Sequence, residues 1–575
     1  MILQYLREKG IECTRERNQS GYITITSSHT LNLEFSILIK GYIPHSSNFT
    51  ELPLFMLCDR SKFGQLAHVG WKQGEKDEGN ICAGSTDNLS LNFGKPELLY
   101  YDALIRAVET IKPCIIDPEE NNKQILKEFE AHWIWQKSEH MNRIFCVSSF
   151  KKQIQELSVK LPVSQDAGGL SRQYMAWNNT NKDFNKIYTI QSSWDDTKRK
   201  LNGKACQISI DPQIHPPLRE QNIAEWWEEQ LLALNGETKR KLRQFSRRNR
   251  AKEFWIICTT TVENEVIWYA IKCSSPTKEK VPLCREKISK WVMEAWAVDV
   301  HSKEQLLPRS GANLDLSSQK VCLVGCGSVG SLIANALVGA GFQNLTFIDH
   351  DIFEIQNLYR HRLDMLSVSC DKVSALKYTF EFGHPWLRIT ALKDKLLSDS
   401  SKKEYLEADC IIVAIGSPTE EKYFDSFLST ENSNKAIIYT WLEGHSIGGH
   451  AVLVHPDSKG CLQCAYVDPE TSLPSLNSNL NFFLPNQAFG KDIGGCGNLF
   501  LPYSQIDASQ TANMAAKLAI EYLTGQIKKS VKISWKGKRN HAEKAGLKLS
   551  HRYYRFQKSL QELDLYNEEC HVCNK

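Results

Sequence analysis

The stretch VCLVGCGSVGSLIANALVGAGFQNLTFIDHD, residues 321–351, decides the fold. An apolar run leads into Gly325-Cys326-Gly327-Ser328-Val329-Gly330, then into apolar residues at helical spacing, then into a second apolar run that ends on Asp349. This is a strand, a glycine loop, a helix and a strand. The glycines permit a tight turn and a close backbone approach, and a helix N-terminus favours phosphate. Asp349 stands where an acid takes a ribose hydroxyl. By itself the pattern fits NAD, FAD and ATP equally.

The residues that follow favour ATP. Asp351 comes two positions after Asp349, then Asn357-Leu358-Tyr359-Arg360-His361, then Asp371-Lys372. A triphosphate needs cations as well as backbone N–H groups, and Arg360 and Lys372 supply them. From 320 to about 525, apolar strands alternate with helices, the signature of an α/β domain with a Rossmann-like sheet.

Further along, Cys461-Leu462-Gln463-Cys464 and Cys570-His571-Val572-Cys573 form two C-x-x-C pairs. Each pair can grip one edge of a tetrahedral ion, and four thiolates make a closed structural Zn2+ site. Its ligands would be Cys461, Cys464, Cys570 and Cys573, stapling the tail back onto the α/β domain. His571 lies between two ligands and reads as a bystander.

Outward from this region, 575 residues suggest three or four domains. A hydrophobic fraction of 42% and a charged fraction of 24% describe an ordinary globular chain. A net charge of +4 is too small to argue for a nucleic-acid partner. No signal peptide or membrane-spanning run is read, and the eighteen cysteines suit a reducing, cytoplasmic setting without a membrane. Residues 1–140 read as a small α+β unit: GYITITS and LNLEFSILIKGYI are strand-like, and PELLYYDALIRAVETI and NNKQILKEFEAHWIWQ are helical. The middle, 141–300, holds strand-like EFWIICTTT and EVIWYAIKC and the basic run KRKLRQFSRRNRAK, read as a solvated helix face. VHSKEQLLPRSGANLDLSSQ reads as a polar linker before the α/β domain, 301–575.

From about 309 to 573 the motifs resemble the ThiF/MoeB superfamily of adenylating enzymes, which includes the ubiquitin-activating enzymes. The resemblance implies that Asp349 binds ribose, that Gly325, Gly327, Gly330, Asp351, Asn357, Arg360 and Lys372 line the ATP site, and that Arg309 reaches the neighbouring subunit's site in a homodimer. The family also carries an acid near the end of the next strand that helps to hold Mg2+. Here that strand reads ADCIIVAIGSPTEE, with Gly416 and Ser417 in its place, so that another acid such as Glu420 serves or metal handling differs. The implied chemistry is activation of a protein C-terminus as an acyl-adenylate, followed by capture on a thiolate. Cys496, within DIGGCGNLFLPYSQID, is the expected nucleophile.

The first 140 residues resemble the bacterial ubiquitin-conjugating-like family through ELPLFMLC, LAHVG, GNICAG and EFEAHWIW, with Cys82 at the catalytic position. Asn80 or His68 would steady an oxyanion or orient an acceptor amine. The whole arrangement resembles the fused activating–conjugating enzymes of CBASS anti-phage operons. That resemblance implies an inactive adenylation-like middle region that forms dimers. Its implied cargo is a nucleotidyltransferase that makes cyclic oligonucleotides (a CD-NTase), joined through its C-terminus to acceptor proteins. A separate ubiquitin-like protein is the alternative cargo. Sulfur-carrier activation would leave Cys82 without a role, and an NAD-dependent oxidoreductase would not explain Arg360, Lys372 and the cysteine pairs.

Overall fold

The computed structural model describes residues 1–17, 23–43, 52–70, 77–84, 94–134, 136, 142–150, 154–160, 174–177, 201–210, 215–218, 221–263, 265–384, 386–430, 435–492 and 499–574. These divide into two units, one up to Ser302 and one from Lys303 onward.

The first unit opens with helix α1 (Ile2–Glu8) and an antiparallel sheet in sequential order, β1 (Cys13–Arg17), β2 (Ile23–Thr30), β3 (Ser36–Ile43), β4 (Phe55–Cys58) and β5 (Glu78–Asn80). Helix α2 (Pro96–Ile116) buries Leu99, Tyr100, Ala103, Leu104, Ala107 and Ile111 against the same core as Ile25, Ile37, Ile39 and Leu57 of the sheet. These positions recur at three- and four-residue spacing, which places them on one helix face. The next helical stretch is not continuous. It forms α3 (Pro118–Lys127) and α4 (Phe129–Ile134), which part at Glu128.

Helix α4 belongs to the core of the middle region. Trp133 donates its Nε1–H to the Trp296 carbonyl at 2.9 Å. Its ring and that of Phe129 pack on Tyr269 at centroid distances of 4.8 and 4.7 Å. The middle strands are β6 (Arg143–Val147), β7 (Gln155–Lys160), β8 (Tyr174–Trp177), β9 (Leu201–Ser209), β10 (Arg250–Val262), β11 (Glu265–Lys280) and β12 (Val292–Val300). They close into a barrel in the order β10-β11-β12-β6-β8-β7-β9. The middle region, expected as an adenylation-like α/β region, thus combines helices with a closed barrel of mixed strand direction. Alternate residues of β10 face opposite ways: Trp255 and Ile257 join a core of strand residues only, while Phe254, Ile256 and Cys258 meet Trp226, Trp227 and Leu231 of α5 (Ile223–Ala233). The basic run lies on α6 (Gly236–Arg248), which buries Leu242 and Ser246 and exposes its arginines, as a solvated face should.

The second unit begins with α7 (Lys303–Arg309), inside the stretch expected to be a linker; this helix buries none of its residues. Its central sheet runs β15-β14-β13-β16-β17-β18-β21-β22. The strands are β13 (Lys320–Val324), β14 (Asn344–Ile348), β15 (Arg388–Leu392), β16 (Cys410–Val413), β17 (Ala436–Glu443), β18 (Gly448–Val454), β21 (Val531–Lys536) and β22 (Leu560–Asp564). A separate short ribbon pairs β19 (Lys491–Asp492) with β20 (Leu499–Phe500). Pairing is parallel from β15 to β17 and antiparallel beyond. The parallel part is the expected Rossmann-like sheet. Helices α8 (Ser328–Ala340) and α12 (Gln505–Leu523) share one core, in which Ala512, Ala515, Ala516 and Ala519 of α12 let Ile333 and Leu337 of α8 come close. Helices α9 (Lys372–Gly383), α10 (Asp399–Glu407) and α11 (Pro418–Thr430) connect the remaining strands. The chain leaves β13 toward β14 on one side and later returns to β16 on the other. The crevice at the C-terminal ends of β13 and β16 is therefore where a doubly wound sheet binds its ligand. Among the described residues no helix is long and apolar enough to cross a membrane.

Candidate active site

The glycine loop fills the turn from β13 into α8. Gly325 has φ +83°, and a Cβ there would stand 2.8 Å from the Ala414 carbonyl. A Cβ on Gly330 would stand 1.8 Å from the Gly325 carbonyl oxygen. These two glycines are required by the protein's own packing. Gly327 is different. A Cβ there would meet no protein atom within 4 Å, and the residue borders two adjoining cavities of about 440 and 590 Å³. Gly327 also caps α8 without a side-chain hydrogen bond to the first helical N–H groups. Free N–H groups beside an open space suit an anion.

Asp349 holds this loop in place. Its carboxylate accepts the Cys326 N–H at 2.7 Å and the Asp351 N–H at 2.8 Å. Ser328 donates its hydroxyl to the Arg360 carbonyl at 2.6 Å, which fastens the loop to the 3₁₀ turn Ile355–Arg360. His361 completes the brace. Its Nδ1 accepts the Leu363 N–H at 3.1 Å, so Nε2 carries the hydrogen donated to the Cys326 carbonyl at 2.8 Å. Burial pushes this imidazole down to about 4, so it is neutral at pH 7.

The cations converge on the same space. Lys372, the first residue of α9, is buried and pairs its Nζ with Asp351 at 2.7 Å. The hydrogen bond from Lys372, ahead of simple charge attraction, holds the Asp351 carboxyl below its usual range. Arg360 stacks its guanidinium 5.4 Å from the Tyr503 ring centroid. Asn357, Arg360 and Lys372 line the smaller cavity; Asp349, Asp351 and Lys372 line the larger. Both volumes lie within the range of about 300–1,000 Å³ typical of small-molecule sites. Arg309 is exposed at the end of α7 and lines neither cavity.

Two acids follow β16. Glu420 is exposed on the wall of the larger cavity and, among the described residues, makes no hydrogen bond or ion pair. Glu421 is buried on the wall of the smaller cavity and accepts the Gly416 N–H at 3.1 Å. Burial pushes its carboxyl up to about 7, against the lowering effect of the Gly416 and Ser417 N–H groups. Nothing in the sequence distinguishes two consecutive glutamates. Only the phase of α11 sets one outward and one inward.

The four cysteines of the C-x-x-C pairs come together. Their sulfurs lie 3.8 Å apart for Cys461–Cys570, 3.5 Å for Cys464–Cys573 and 3.4 Å for Cys461–Cys573. A tetrahedral ion about 2.3 Å from each sulfur gives sulfur–sulfur edges of about 3.8 Å, whereas a disulfide gives about 2.05 Å. The donor set and spacing therefore fit Zn2+.

In the first unit, Cys82 is exposed just after β5. Its N–H donates to the His68 carbonyl at 2.7 Å, Val69 bridges Ile81, and the Gly70 N–H donates to the Asn80 carbonyl at 2.7 Å. Cys496 lies outside the described residues.

Residues 303–556 match the ThiF family. The chain is 41% identical over 96 residues to the ATP-dependent ubiquitin transferase-like protein Cap2 of Enterobacter hormaechei, covering 16% of this chain and 15% of that one. It is 24% identical over 215 residues to the protein of the same name from Pseudomonas aeruginosa, covering 36% and 37%. With ubiquitin-like modifier-activating enzyme 5 of Aedes aegypti it shares 25% identity over 198 residues, covering 32% and 49%. The chain thus spans less than half the length of each of these relatives. Among solved structures, the ATP complex of Escherichia coli MccB is similar at 16% identity and a TM-score of 0.33, covering 45% of this chain and 68% of that one. The match to the ThiF family thus falls within the second unit, and the chain is similar to Cap2 proteins.

Proposed function

We propose that this chain activates the C-terminal carboxylate of a partner protein with ATP, passes it through thioesters on Cys496 and Cys82, and joins it to an amine on a target protein. The observation that carries this reading is an open, glycine-walled cavity backed by Lys372 and Arg360 within residues that match the ThiF family. Residues 1–140 would be the conjugating module, 141–300 an inactive dimer-forming region and 301–575 the activating domain.

In the adenylation step a carboxylate oxygen attacks the α-phosphorus, the bond to the bridging oxygen breaks, and pyrophosphate leaves. Lys372, Arg360 and the N–H groups at the start of α8 offset charge on the phosphates, and Asp349 sets the loop that presents them. Asp349 would also hold the ribose and Asn357 a phosphate. Mg2+ supplies charge neutralisation to the triphosphate; Glu420 is the unengaged carboxylate on the cavity wall that suits it. Zn2+ on the four cysteines is structural and ties the tail to the sheet. Arg309, exposed on α7, is free to serve the site of the other subunit in a homodimer.

The resemblance to CBASS enzymes favours a cyclic-oligonucleotide synthase as the cargo. The similarity to ubiquitin-like modifier-activating enzyme 5 favours a ubiquitin-like protein as the second reading. The purified chain, incubated with MgATP and the proteins encoded beside it, should form a thiol-sensitive adduct on a non-reducing gel. Cys496→Ala should abolish the adduct, Cys82→Ala should stall it, and its mass identifies the cargo. An absence of any ATP-dependent adduct would sink the relay.

A further inference from the structure

We propose that His68 is the base that serves Cys82 and that Glu128 is the residue that positions it. The inference deepens the reading of Cys82 as an acyl carrier and rests on it. Its geometric basis is local and comes from three separate parts of the first unit.

Glu128 sits at the break between α3 and α4, with φ −91° and ψ 17°. There both of its carboxylate oxygens engage a single residue. One accepts the His68 N–H at 2.8 Å, and the other meets His68 Nδ1 at 2.6 Å. His68 needs such a clamp because its backbone is left-handed, at φ +60°. For a residue other than glycine that conformation costs about 1–3 kcal/mol and is kept where its surroundings impose it. Through its carbonyl the same residue accepts the Cys82 N–H. The flanking Val69–Ile81 bridge is antiparallel, so His68 and Cys82 occupy facing positions on the ribbon.

In the neutral ring, with Nδ1–H given to the carboxylate, the remaining nitrogen, Nε2, is an acceptor. A carboxylate therefore backs the imidazole of the residue that faces Cys82, and closing the ring onto the thiol would complete the order used by nucleophilic acyl-transfer sites. The neighbouring charges leave this arrangement intact. Burial alone would raise the Glu128 carboxyl, but the hydrogen bonds from the His68 ring and backbone outweigh it and hold it below its usual range. His132 lies 4.0 Å from Glu128 and is pushed down to about 4 by burial, so it adds no charge at pH 7. The charges of Arg60 and His215 push the His132 ring further the same way, and the Arg106 guanidinium of α2 rests against Gly84.

In the conjugation step the acceptor amine attacks the carbonyl carbon of the Cys82 thioester. Its surplus proton moves to His68 Nε2. The carbon–sulfur bond breaks with its electron pair on Cys82 Sγ, which then takes the proton from the imidazolium. A thioester and an amine become an amide and a thiol, with nothing left over.

The test uses the full chain without ATP or cargo. The rate of Cys82 alkylation by iodoacetamide is followed from pH 6 to 9 by mass spectrometry of its peptide. His68→Asn is the variant of choice, because asparagine tolerates the left-handed backbone. It should slow alkylation at pH 7 about tenfold and remove one step from the pH profile. Glu128→Gln should slow it about threefold and displace that step while His68 remains. Wild-type rate and profile in His68→Asn would overturn the proposal; should Glu128→Gln unfold, His68→Asn still decides. A normal alkylation profile without an ATP-dependent adduct would count against the relay alone.

Discussion

The Asp349 carboxylate accepts the Cys326 N–H at 2.7 Å, and the acid expected to hold a ribose is therefore also the peg of the glycine loop. Its second oxygen accepts the Asp351 N–H, so the loop and the end of β14 share one anchor. Asp349→Ala leaves two N–H groups without their acceptor, one of them buried, and such a group costs about 1–3 kcal/mol. The variant should lose about 2 kcal/mol of stability in urea unfolding. ATP affinity, measured by calorimetry, should fall at the same time. Stability without a change in affinity, or the reverse, would separate the two roles and contradict the shared anchor.

Glu421 gives a pH prediction with a definite sign. Its carboxyl is raised by burial from the usual range to about 7, so the folded state binds its proton more tightly than the unfolded chain does. This contribution is fully present below the unfolded value of about 4.3 and is lost as pH rises through 7. Glu421→Gln keeps an oxygen for the Gly416 N–H and removes the ionisation. Relative to wild type, the variant should gain stability between pH 5 and pH 8, by an amount of order 3 kcal/mol. Urea unfolding at the two pH values measures it. A parallel pH dependence in both proteins would show that Glu421 ionises as freely as a surface acid.

The cysteine cluster predicts one zinc per chain. Cys464 and Cys570 are fully buried, and β22 and the residues after it are held beside β21 and the turn Leu462–Tyr466. Because metal affinity at such a site is also folding energy, Cys570→Ser should release the zinc and lower stability by about 2 kcal/mol or more. In a domain of this size that corresponds to a drop of at least about 5 °C in Tm. Metal analysis by mass spectrometry and a thermal melt check the two halves separately. Full zinc content in Cys570→Ser would exclude that residue as a ligand.

The parts of the chain that were legible as sequence are those where spacing carries the physics. Gly325 and Gly330, the apolar runs of β13 and β14 and the two C-x-x-C pairs each impose a local geometry that needs no knowledge of distant residues. The barrel was not legible in this way. Strand β10 is apolar on both faces, so EFWIICTTT reads as buried strand without saying whether the sheet opens or closes. The break at Glu128 was hidden for the opposite reason. Residues 119–134 contain no glycine or proline, and only the tertiary clamp on His68 and the burial of Phe129 and Trp133 in the core that α5 shares with the barrel strands explain the kink.

Gly327 and Gly330 allow the sharpest test of what the loop is for. A Cβ on Gly330 would fall 1.8 Å from the Gly325 carbonyl oxygen, a backbone atom that cannot move without dismantling the turn. Gly330→Ala should therefore damage the fold itself, lowering stability by about 3 kcal/mol or more. A Cβ on Gly327 meets no protein atom, and the residue has φ −74°, which alanine adopts freely. Gly327→Ala should melt within about 2 °C of wild type, as expected for a change of about 0.5 kcal/mol or less. Yet the added methyl group points into space shared by both cavities, where a phosphate must approach the backbone. Nucleotide affinity should fall at least about tenfold, the equivalent of about 1.4 kcal/mol. A folded Gly327→Ala protein that binds ATP as wild type does would mean that the loop is a packing device and the nucleotide lies elsewhere.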